Sequence, residues 1–490
     1  MRAKYSGGEH MEQLGYTGEL TDENITHIFR DASDFIRREL KCGDLTVYAY
    51  AIDGLIASAY ASDYIFKPII QQLNADTMGS AYKAAVEGVI YNNVAVPCND
   101  LNKVAFLLVN GFCVVLFPGV GAIGFEVRTP DKRNTNPPEV ENTVKGAKDA
   151  FVETIRSNTS YIRRHLRSPD LRIYETQVGK RSLTNVSVVW LEGITNPEYV
   201  ERMKKRLQEI DIDGLLTPSA VEEYITGSRT TAFPLLQYTE RTDRFCQGIL
   251  DGRVGLFVDG IPVGYLAPTD LMYLMESAED RGRDYMTASA VRVLRYLALV
   301  AGLLLPALYI AIASFHQAWL PLPLLRSIIE SKVRVPFTTT AEVLGLLVAF
   351  ELLQESGIHL PQAIGQSVSI VGGIVMGTAA VEAGVMSPIA LITVSIAGVC
   401  GFVLPNRDLA QAVRGWRFVI AVLAAFGGIY GVIGGVAILL IHLLSLRSLG
   451  VPYLIPNRII QEGGGILRPR LKNIVYRNKH LRPEDERNQK

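Results

Sequence analysis

Cysteine is scarce in this chain of 490 residues and follows no pattern. The five cysteines, at positions 42, 98, 113, 246 and 400, form no CxxC motif and offer no plausible pairing. This scatter argues against a disulfide scaffold and against a thiolate metal site. It is typical of a protein whose soluble part faces a reducing compartment.

Catalytic motifs are also absent from the sequence. It contains no GxxxxGK(S/T), no HExxH and no GxSxG, and its seven histidines are dispersed. The stretch GVGAIG at 119–124 has the spacing of a dinucleotide-binding GxGxxG. The residues after it, FEVRTPDKRNTNPP, cannot form the helix that such a site requires, so we interpret it as a turn. We predict no enzymatic activity, no cofactor, no metal and no nucleic acid partner.

Charge is nearly missing from one long region of the chain. Only six basic and six acidic residues lie between 296 and 446, whereas the whole chain has 49 of each. Four charge-free windows there exceed the roughly 20 residues that cross a bilayer. They are 296–325, 356–381, 383–406 and 418–446. With an acidic first half and a basic tail, this pattern predicts a membrane protein with a large soluble head.

The N-terminal stretch MRAKYSGGEHMEQLGYTGEL has no apolar core of the kind found in a cleaved signal peptide. We therefore expect the head to be cytosolic. Basic residues before the first window and in the tail place both termini in the cytoplasm by the positive-inside rule, which requires an even number of crossings. The segment 406–417 is an exception, because this count puts its three arginines outside.

Two acids interrupt a fifth apolar segment at 339–356. Glu342 and Glu351 stand nine residues apart, on opposite sides of an ideal helix, so they cannot share one narrow pathway. Acids inside a membrane indicate function by default, and the alternative is a boundary position that faces headgroups. We predict a short, re-entrant or amphipathic helix here.

The head shows the same order of elements twice. A β-type run, a turn with Gly and a helical pattern occur at 45–73 and again at 186–210. We expect a hairpin after each unit, around Asn110-Gly111 and around Asp259-Gly260.

The predicted fold class is an α/β cytosolic head of two similar subdomains plus an α-helical transmembrane bundle. The domains are an N-terminal α/β subdomain (1–140), a second α/β subdomain (141–290), a transmembrane helical domain (291–447) and a basic cytoplasmic tail (448–490).

A basic cluster lies on the helix that connects the two subdomains. Arg163, Arg164 and Arg167 are close together in sequence. We interpret them as a solvated helix face, and the alternative is a contact with an anionic partner or with lipid headgroups.

Several long stretches, in consistent order from about residue 140 to 456, resemble the A subunits of bacterial spore germinant receptors, the GerA family. They include VKGAKDAFVETIRSNTSYIRRHLRSPDLR, LEGITNPEYVERMKKRLQEIDIDG, PQAIGQSVSIVGGIVMGTAAVEAGVMSP and LRSLGVPYL. The first 130 residues match only in layout. The sporulation protein SpoVAF belongs to the same family, so a paralogue of that type is the alternative.

The resemblance implies a multi-pass protein of the inner membrane of the spore. Its implied partners are a transporter-like B subunit that binds the nutrient, a C subunit that is a lipoprotein, and membrane lipid. The resemblance also implies self-association into a pentameric ring whose centre conducts monovalent cations when nutrient binds.

Residues 367–384, named here the gate segment, carry two distinct faces on an ideal α-helix. The first suits tight helix packing and consists of Gly373, Gly377, Ala380 and Gly384. The opposite face consists of Ser367, Val371, Val375, Thr378 and Glu382. In a ring of helices the valines of this second face would close a pore by dewetting, and a ring of Glu382 would favour cations. The alternative is a buried helix with a lipid-facing valine side.

The last window has its own packing glycines, Gly427, Gly431 and Gly435, at four-residue spacing. The leading prediction is a nutrient-gated cation channel subunit that starts spore germination. The second is a non-conducting scaffold or assembly subunit of the receptor cluster. Secondary transport ranks below both, because the membrane segments show no inverted repeat.

Overall fold

A computed structural model describes residues 15–73, 75–90, 92, 94–128, 137–143, 145–227, 231–359, 373 and 375–454. These residues divide into two compact units. The first unit contains the described residues up to 227 and those of 236–268, and the second contains the described residues of 231–235 and 269–454.

The first unit begins with a five-stranded antiparallel sheet in the order β1-β2-β4-β5-β3. Its strands are β1 (Phe35–Cys42), β2 (Leu45–Ile52), β3 (Ala95–Cys98), β4 (Phe112–Phe117) and β5 (Gly121–Glu126). Its helices are α1 (Asp22–Ile28), α2 (58–71), α3 (78–89) and α4 (Leu101–Val109), with π-helical turns at Ser62–Phe66 in α2 and Ala85–Val89 in α3.

Both faces of this sheet are covered, which explains why every residue of β4 is buried. Alternate strand residues point to opposite faces. Cys113 and Val115 therefore pack in one core with residues of α2 and α3. Val114 and Leu116 pack in a second core with residues of α1 and α4. The result is a three-layer α/β/α arrangement.

The predicted hairpin at Asn110-Gly111 is wrong. The apolar run before Asn110 forms α4, which Asp100 caps by accepting a hydrogen bond from the Lys103 amide. The pair Asn110-Gly111 therefore joins a helix to β4, and the hairpin is formed by β4 and β5 around Gly119. GVGAIG supplies that turn and the start of β5, and it opens no helix, in agreement with the sequence interpretation.

The second sheet has the order β6-β7-β9-β10-β8, so its strands follow one another as in the first sheet. They are β6 (Leu171–Val178), β7 (Thr184–Leu191), β8 (Gln237–Thr239), β9 (Val254–Val258) and β10 (Gly264–Ala267). The accompanying helices are α5 (Ile155–His165), α6 (Pro197–Gln208), α7 (Pro218–Thr226) and α8 (Thr242–Leu250). The predicted hairpin at Asp259-Gly260 is confirmed, because it connects β9 to β10.

A buried ion pair joins the two halves of the first unit. Arg163 on α5 donates to both carboxylate oxygens of Asp34, which precedes β1, at 2.7 and 2.8 Å. Both side chains are buried. Arg163 is therefore a structural residue, and the interpretation of it as part of a solvated basic face is wrong. Its partner lies too far away in the sequence for the local charge pattern to reveal it.

The second unit is mostly helical. Its helices are α9 (Leu271–Leu274), α10 (Glu279–Gly282), α11 (Tyr285–Phe315), α12 (Leu322–Lys332), α13 (Thr339–His359), α14 (375–382), α15 (Pro388–Phe402) and α16 (Arg407–Ser445). Two of them, α11 and α16, are long and apolar enough to cross a membrane. The first charge-free window contains the C-terminal part of α11, which ends at Phe315, and the start of α12.

Helix α16 reverses direction at Gly428, whose φ of 56° and ψ of −134° break the helix. A Cβ on Gly435 would lie 3.1 Å from Ile420, and the rings of Trp416 and His442 are 5.5 Å apart. In a straight helix residues 420 and 435 would be about 22 Å apart. The window 418–446, expected to be one straight span, is therefore part of a helical hairpin with arms 407–427 and 429–445.

Candidate functional site

The described part of the gate segment is helical but not an ideal α-helix. Val375–Ala379 form a π-helical turn and Ala380–Glu382 a final α-helical turn. The side chains of Thr378 and Glu382 are exposed, four residues apart. Ser367 and Val371 lie outside the described residues, and only the backbone of Val375 is described. Because a π-turn holds more residues than an α-turn, the faces drawn for an ideal α-helix do not continue unchanged through it.

The predicted packing stripe of the gate segment touches little of the part of the chain that the structure describes. A Cβ built on Gly373 or Gly377 meets no described atom within 4 Å, and Ala380 is half-buried. Gly384 does not belong to the stripe, because the helix ends at Glu382. Its φ of 67° places it in a left-handed turn, where a Cβ would lie 3.2 Å from the carbonyl oxygen of Arg334. Gly384 therefore serves a turn that approaches another backbone closely.

The packing glycines of the last window act inside the α16 hairpin. A Cβ on Gly431 would lie 2.0 Å from the carbonyl oxygen of Leu423, so only glycine fits there. Gly435 contacts Ile420 and Leu423 of the first arm. A Cβ on Gly427 meets no described atom within 4 Å. The close approach allowed by Gly431 and Gly435 is thus between the two arms of one helix.

Glu342 lies in the first turn of α13 and is almost fully buried. Its Oε1 accepts a hydrogen bond from the backbone amide of Ser387, the residue that caps α15. Its Oε2 lies 3.3 Å from Nζ of Lys332, which also donates to Thr339. A buried carboxylate requires such partners, because an isolated charge is costly away from water. The carboxylate of Glu342 therefore faces other groups of the protein.

Glu351 has a different environment on the same helix. Its side chain is half exposed, and Oε1 lies 3.6 Å from Nη1 of Arg414 in the first arm of α16. Arg414 also donates to Gln354. The two acids thus meet different basic partners, as their opposite positions on the helix imply. Arg414, which disagreed with the predicted topology, belongs to an ion pair of the second unit.

The arginines before the first predicted span form a buried network around Asp280. Arg295 donates to both carboxylate oxygens of Asp280 at 2.6 and 2.8 Å, and Arg292 donates at 3.2 Å. Burial by itself raises the pKa of Asp280, but hydrogen bonds and charges, chiefly from Arg295, outweigh it, so the pKa lies below its ordinary value. These arginines therefore fix the start of α11 against α10, besides the effect on membrane orientation that the sequence predicts for them.

Three functional contacts were missed by sequence reasoning: those of Lys332, Ser387 and Asp280. Lys332 lies ten residues before Glu342, but the chain turns between them, and Ser387 lies much further along the chain. The pair Ser387-Pro388 is a helix-start signal that can be recognised in the sequence. The sequence does not reveal that the backbone amide of Ser387 donates to Glu342.

The chain is similar over most of its length to known spore germination proteins. The sequence profile of the Bacillus/Clostridium GerA spore germination protein matches residues 23–484. The chain belongs to the GerA family. Spore germination protein KA of Bacillus subtilis (strain 168) is 31% identical over 87% of this chain and 79% of its own length. Spore germination protein GerLA of Bacillus cereus is 30% identical over 92% of this chain and 96% of its own length.

The chain is also similar to the uncharacterized membrane protein YfkQ of Bacillus subtilis (strain 168), with 33% identity over 88% of this chain and 84% of its own length. Among solved structures, the N-terminal domain of the A subunit of the Bacillus megaterium spore germinant receptor GerK3 is 26% identical. That match covers 52% of this chain and 97% of the other, with a TM-score of 0.40.

Proposed function

We propose that this chain is the A subunit of a spore germinant receptor and forms an oligomeric, nutrient-gated cation channel that starts germination. The observation that carries the proposal is the GerA match over residues 23–484, together with relatives named as spore germination proteins. The proposed setting is the inner membrane of the spore, with several crossings and both termini in the cytoplasm.

The gate segment is the proposed pore lining. Thr378 and Glu382 are exposed in the single chain, and in this proposal they face a path shared by several copies. Gly373 and Gly377 leave space on the segment where another helix can approach closely. In this proposal Val371 and Val375 form the closed constriction, and Ser367 and Glu382 lie toward its two ends.

The proposed partners follow from the family. They are a B subunit that binds the nutrient, a C subunit that is a lipoprotein, further copies of this chain in a pentameric ring, and membrane lipid. The nutrient is recognised by the B subunit, so this chain requires no nutrient pocket of its own.

A substitution in the gate segment tests conduction. Spores that carry Val375→Ser in place of the natural chain are expected to release monovalent cations without nutrient, because a polar side chain removes the barrier that dewetting creates. Val399→Ser, an exposed position of α15, is the control and is expected to retain ions. Normal ion retention with Val375→Ser would count heavily against this gate.

The second candidate is a non-conducting scaffold of the receptor cluster. In this candidate the first unit, whose two halves are joined by the buried pair Arg163–Asp34, acts as a platform. Reconstitution in liposomes with the B and C subunits separates the candidates. A channel gives nutrient-dependent conductance, whereas a scaffold gives none.

A further inference from the structure

The turn 383–387, at the end of the gate segment, meets two neighbouring parts of the chain, which are the connection between α12 and α13 and the first turn of α13. At the first, Gly384 approaches the backbone of Arg334, with 3.2 Å between its ideal Cβ and the Arg334 carbonyl oxygen. At the second, the amide of Ser387 donates to Glu342. Between them, the amides of Val385 and Met386 donate to Ala380, so the turn is continuous with the end of α14.

Glu342 is the central residue of this attachment. One carboxylate oxygen accepts from the Ser387 amide, one of the backbone donors at the start of α15 that the helix itself does not use. The other lies 3.3 Å from Lys332 Nζ and accepts no hydrogen bond from a described residue, so that interaction is ionic. A single carboxylate thus joins the end of α12, the start of α13 and the start of α15.

We propose that Glu342 is a positioning residue for the gate segment. Its carboxylate holds the turn 383–387 against the start of α13, and through the turn it sets the position of Glu382 at the end of α14. Displacement of the end of the gate segment then requires that the bond from Ser387 to Glu342 breaks or that α12 and α13 move with it. This inference rests on the proposed function for its effect on ions, but the attachment itself does not.

Hydrogen–deuterium exchange on the full-length chain in liposomes tests the attachment directly. In Glu342→Ala the Ser387 amide loses its acceptor, and exchange of the peptide covering 380–390 is expected to rise about tenfold or more. Glu351→Ala removes the other acid of α13, whose side chain is half exposed, and is the matched control. It is expected to leave exchange of this peptide within about twofold of the natural chain.

A rescue variant separates positioning from general damage. Lys332→Met alone leaves the buried carboxylate without its counter-charge and is expected to raise exchange of the same peptide. The double variant Lys332→Met/Glu342→Gln keeps an acceptor for the Ser387 amide without a buried charge. It is expected to return exchange to within about twofold of the natural chain. If Glu342→Ala does not accumulate, the comparison of Lys332→Met with Lys332→Met/Glu342→Gln tests the attachment instead.

The same variants are then placed in spores, and release of monovalent cations without nutrient is measured. Faster exchange together with spontaneous release supports both the attachment and the proposed channel. Faster exchange with full ion retention supports the attachment and contradicts conduction through the gate segment. Unchanged exchange in both Glu342→Ala and Lys332→Met overturns the inference, whatever the spores release.

Discussion

Arg163 and Asp34 form a two-point ion pair between residues that are 129 positions apart in the sequence. The guanidinium Nε and Nη2 meet the two carboxylate oxygens at 2.7 and 2.8 Å, and neither side chain is exposed by more than 5%. In this fork geometry both hydrogen bonds are charge-assisted. Because water does not reach the pair, each partner depends on the other.

The first prediction concerns this pair. Asp34→Ala leaves a buried guanidinium uncompensated and is expected to lower the unfolding free energy of the first unit by about 3–5 kcal/mol. Asp63→Ala, which breaks an exposed pair with Lys67, is the control and is expected to cost much less than Asp34→Ala. Urea unfolding is followed by fluorescence of Trp190 in a Trp319→Phe/Trp416→Phe background. Equal costs for the two variants would contradict the structural role of Arg163.

The second prediction compares two glycines at equivalent turns. Gly54 and Gly193 have φ values of 79° and 73°, in the left-handed region. This backbone conformation therefore destabilises an alanine by the same amount, about 1–2 kcal/mol, at either site. Only at Gly54 would the Cβ also meet another side chain, the Ser160 hydroxyl, at 2.0 Å. Gly54→Ala is therefore expected to destabilise the first unit more than Gly193→Ala.

Removal of the Ser160 hydroxyl tests the cause of that difference. Gly54→Ala/Ser160→Ala is expected to recover the excess cost in the same Trp190 unfolding measurement, whereas Ser160→Ala is not expected to rescue Gly193→Ala. A double variant as unstable as Gly54→Ala would show that the backbone angle, and not the contact, determines the cost.

The third prediction concerns pH. The hydrogen bond with His165 holds the pKa of Asp149 at about 2, and the same bond raises the pKa of His165. The His165 contribution is complete below the ordinary His pKa of about 6.5 and is lost as the pH rises through the raised value. The Asp149 contribution is complete above about 3.9 and is lost as the pH falls toward 2.

The pair therefore contributes most between about pH 4 and 6.5, and the first unit is expected to lose this contribution on the alkaline side. His165→Gln is expected to remove the alkaline loss from the pH dependence of the thermal midpoint reported by Trp190. His27→Gln, on an exposed residue of α1, is expected to retain it. A natural chain whose midpoint is constant from pH 6 to 9 would refute the prediction.

The fourth prediction tests the hairpin of α16. Gly431→Ala places a Cβ 2.0 Å from the Leu423 carbonyl oxygen and is expected to destabilise the hairpin by about 3 kcal/mol or more. A Cβ on Gly434, in the same arm, meets no described atom within 4 Å. Gly434→Ala is expected to be neutral or to stabilise the arm by up to about 1 kcal/mol.

Trp416 reports this hairpin, because its ring lies 5.5 Å from that of His442 in the other arm. Thermal unfolding in detergent is followed by Trp416 fluorescence in a Trp190→Phe/Trp319→Phe background. If the two glycine variants unfold at the same temperature, the arms do not make the close contact described here.

Local signals explain the elements that were correctly anticipated. The helical pattern predicted within 186–210 corresponds to α6, which Asn196 caps and Pro197 begins. The Asp259-Gly260 turn lies in a hairpin, because these residues favour the required backbone angles by themselves. The apolar run before Asn110 was predicted as a strand and is a helix, because a short apolar stretch fits a buried helix as well as a strand. Only packing of α4 against the sheet decides between them.

Composition alone determines where this chain can meet a lipid environment, because charge is too costly in hydrocarbon to be spread evenly along the sequence. The order of apolar runs, turns and helical patterns likewise follows from short-range chemistry. Three features required the tertiary structure: the reversal at Gly428, the partner of Arg163 and the attachment of Ser387 to Glu342. The two contacts join groups that are distant along the chain, so no local pattern reveals them. The reversal could occur at any of several neighbouring glycines, and the packing of the whole unit determines that it occurs at Gly428.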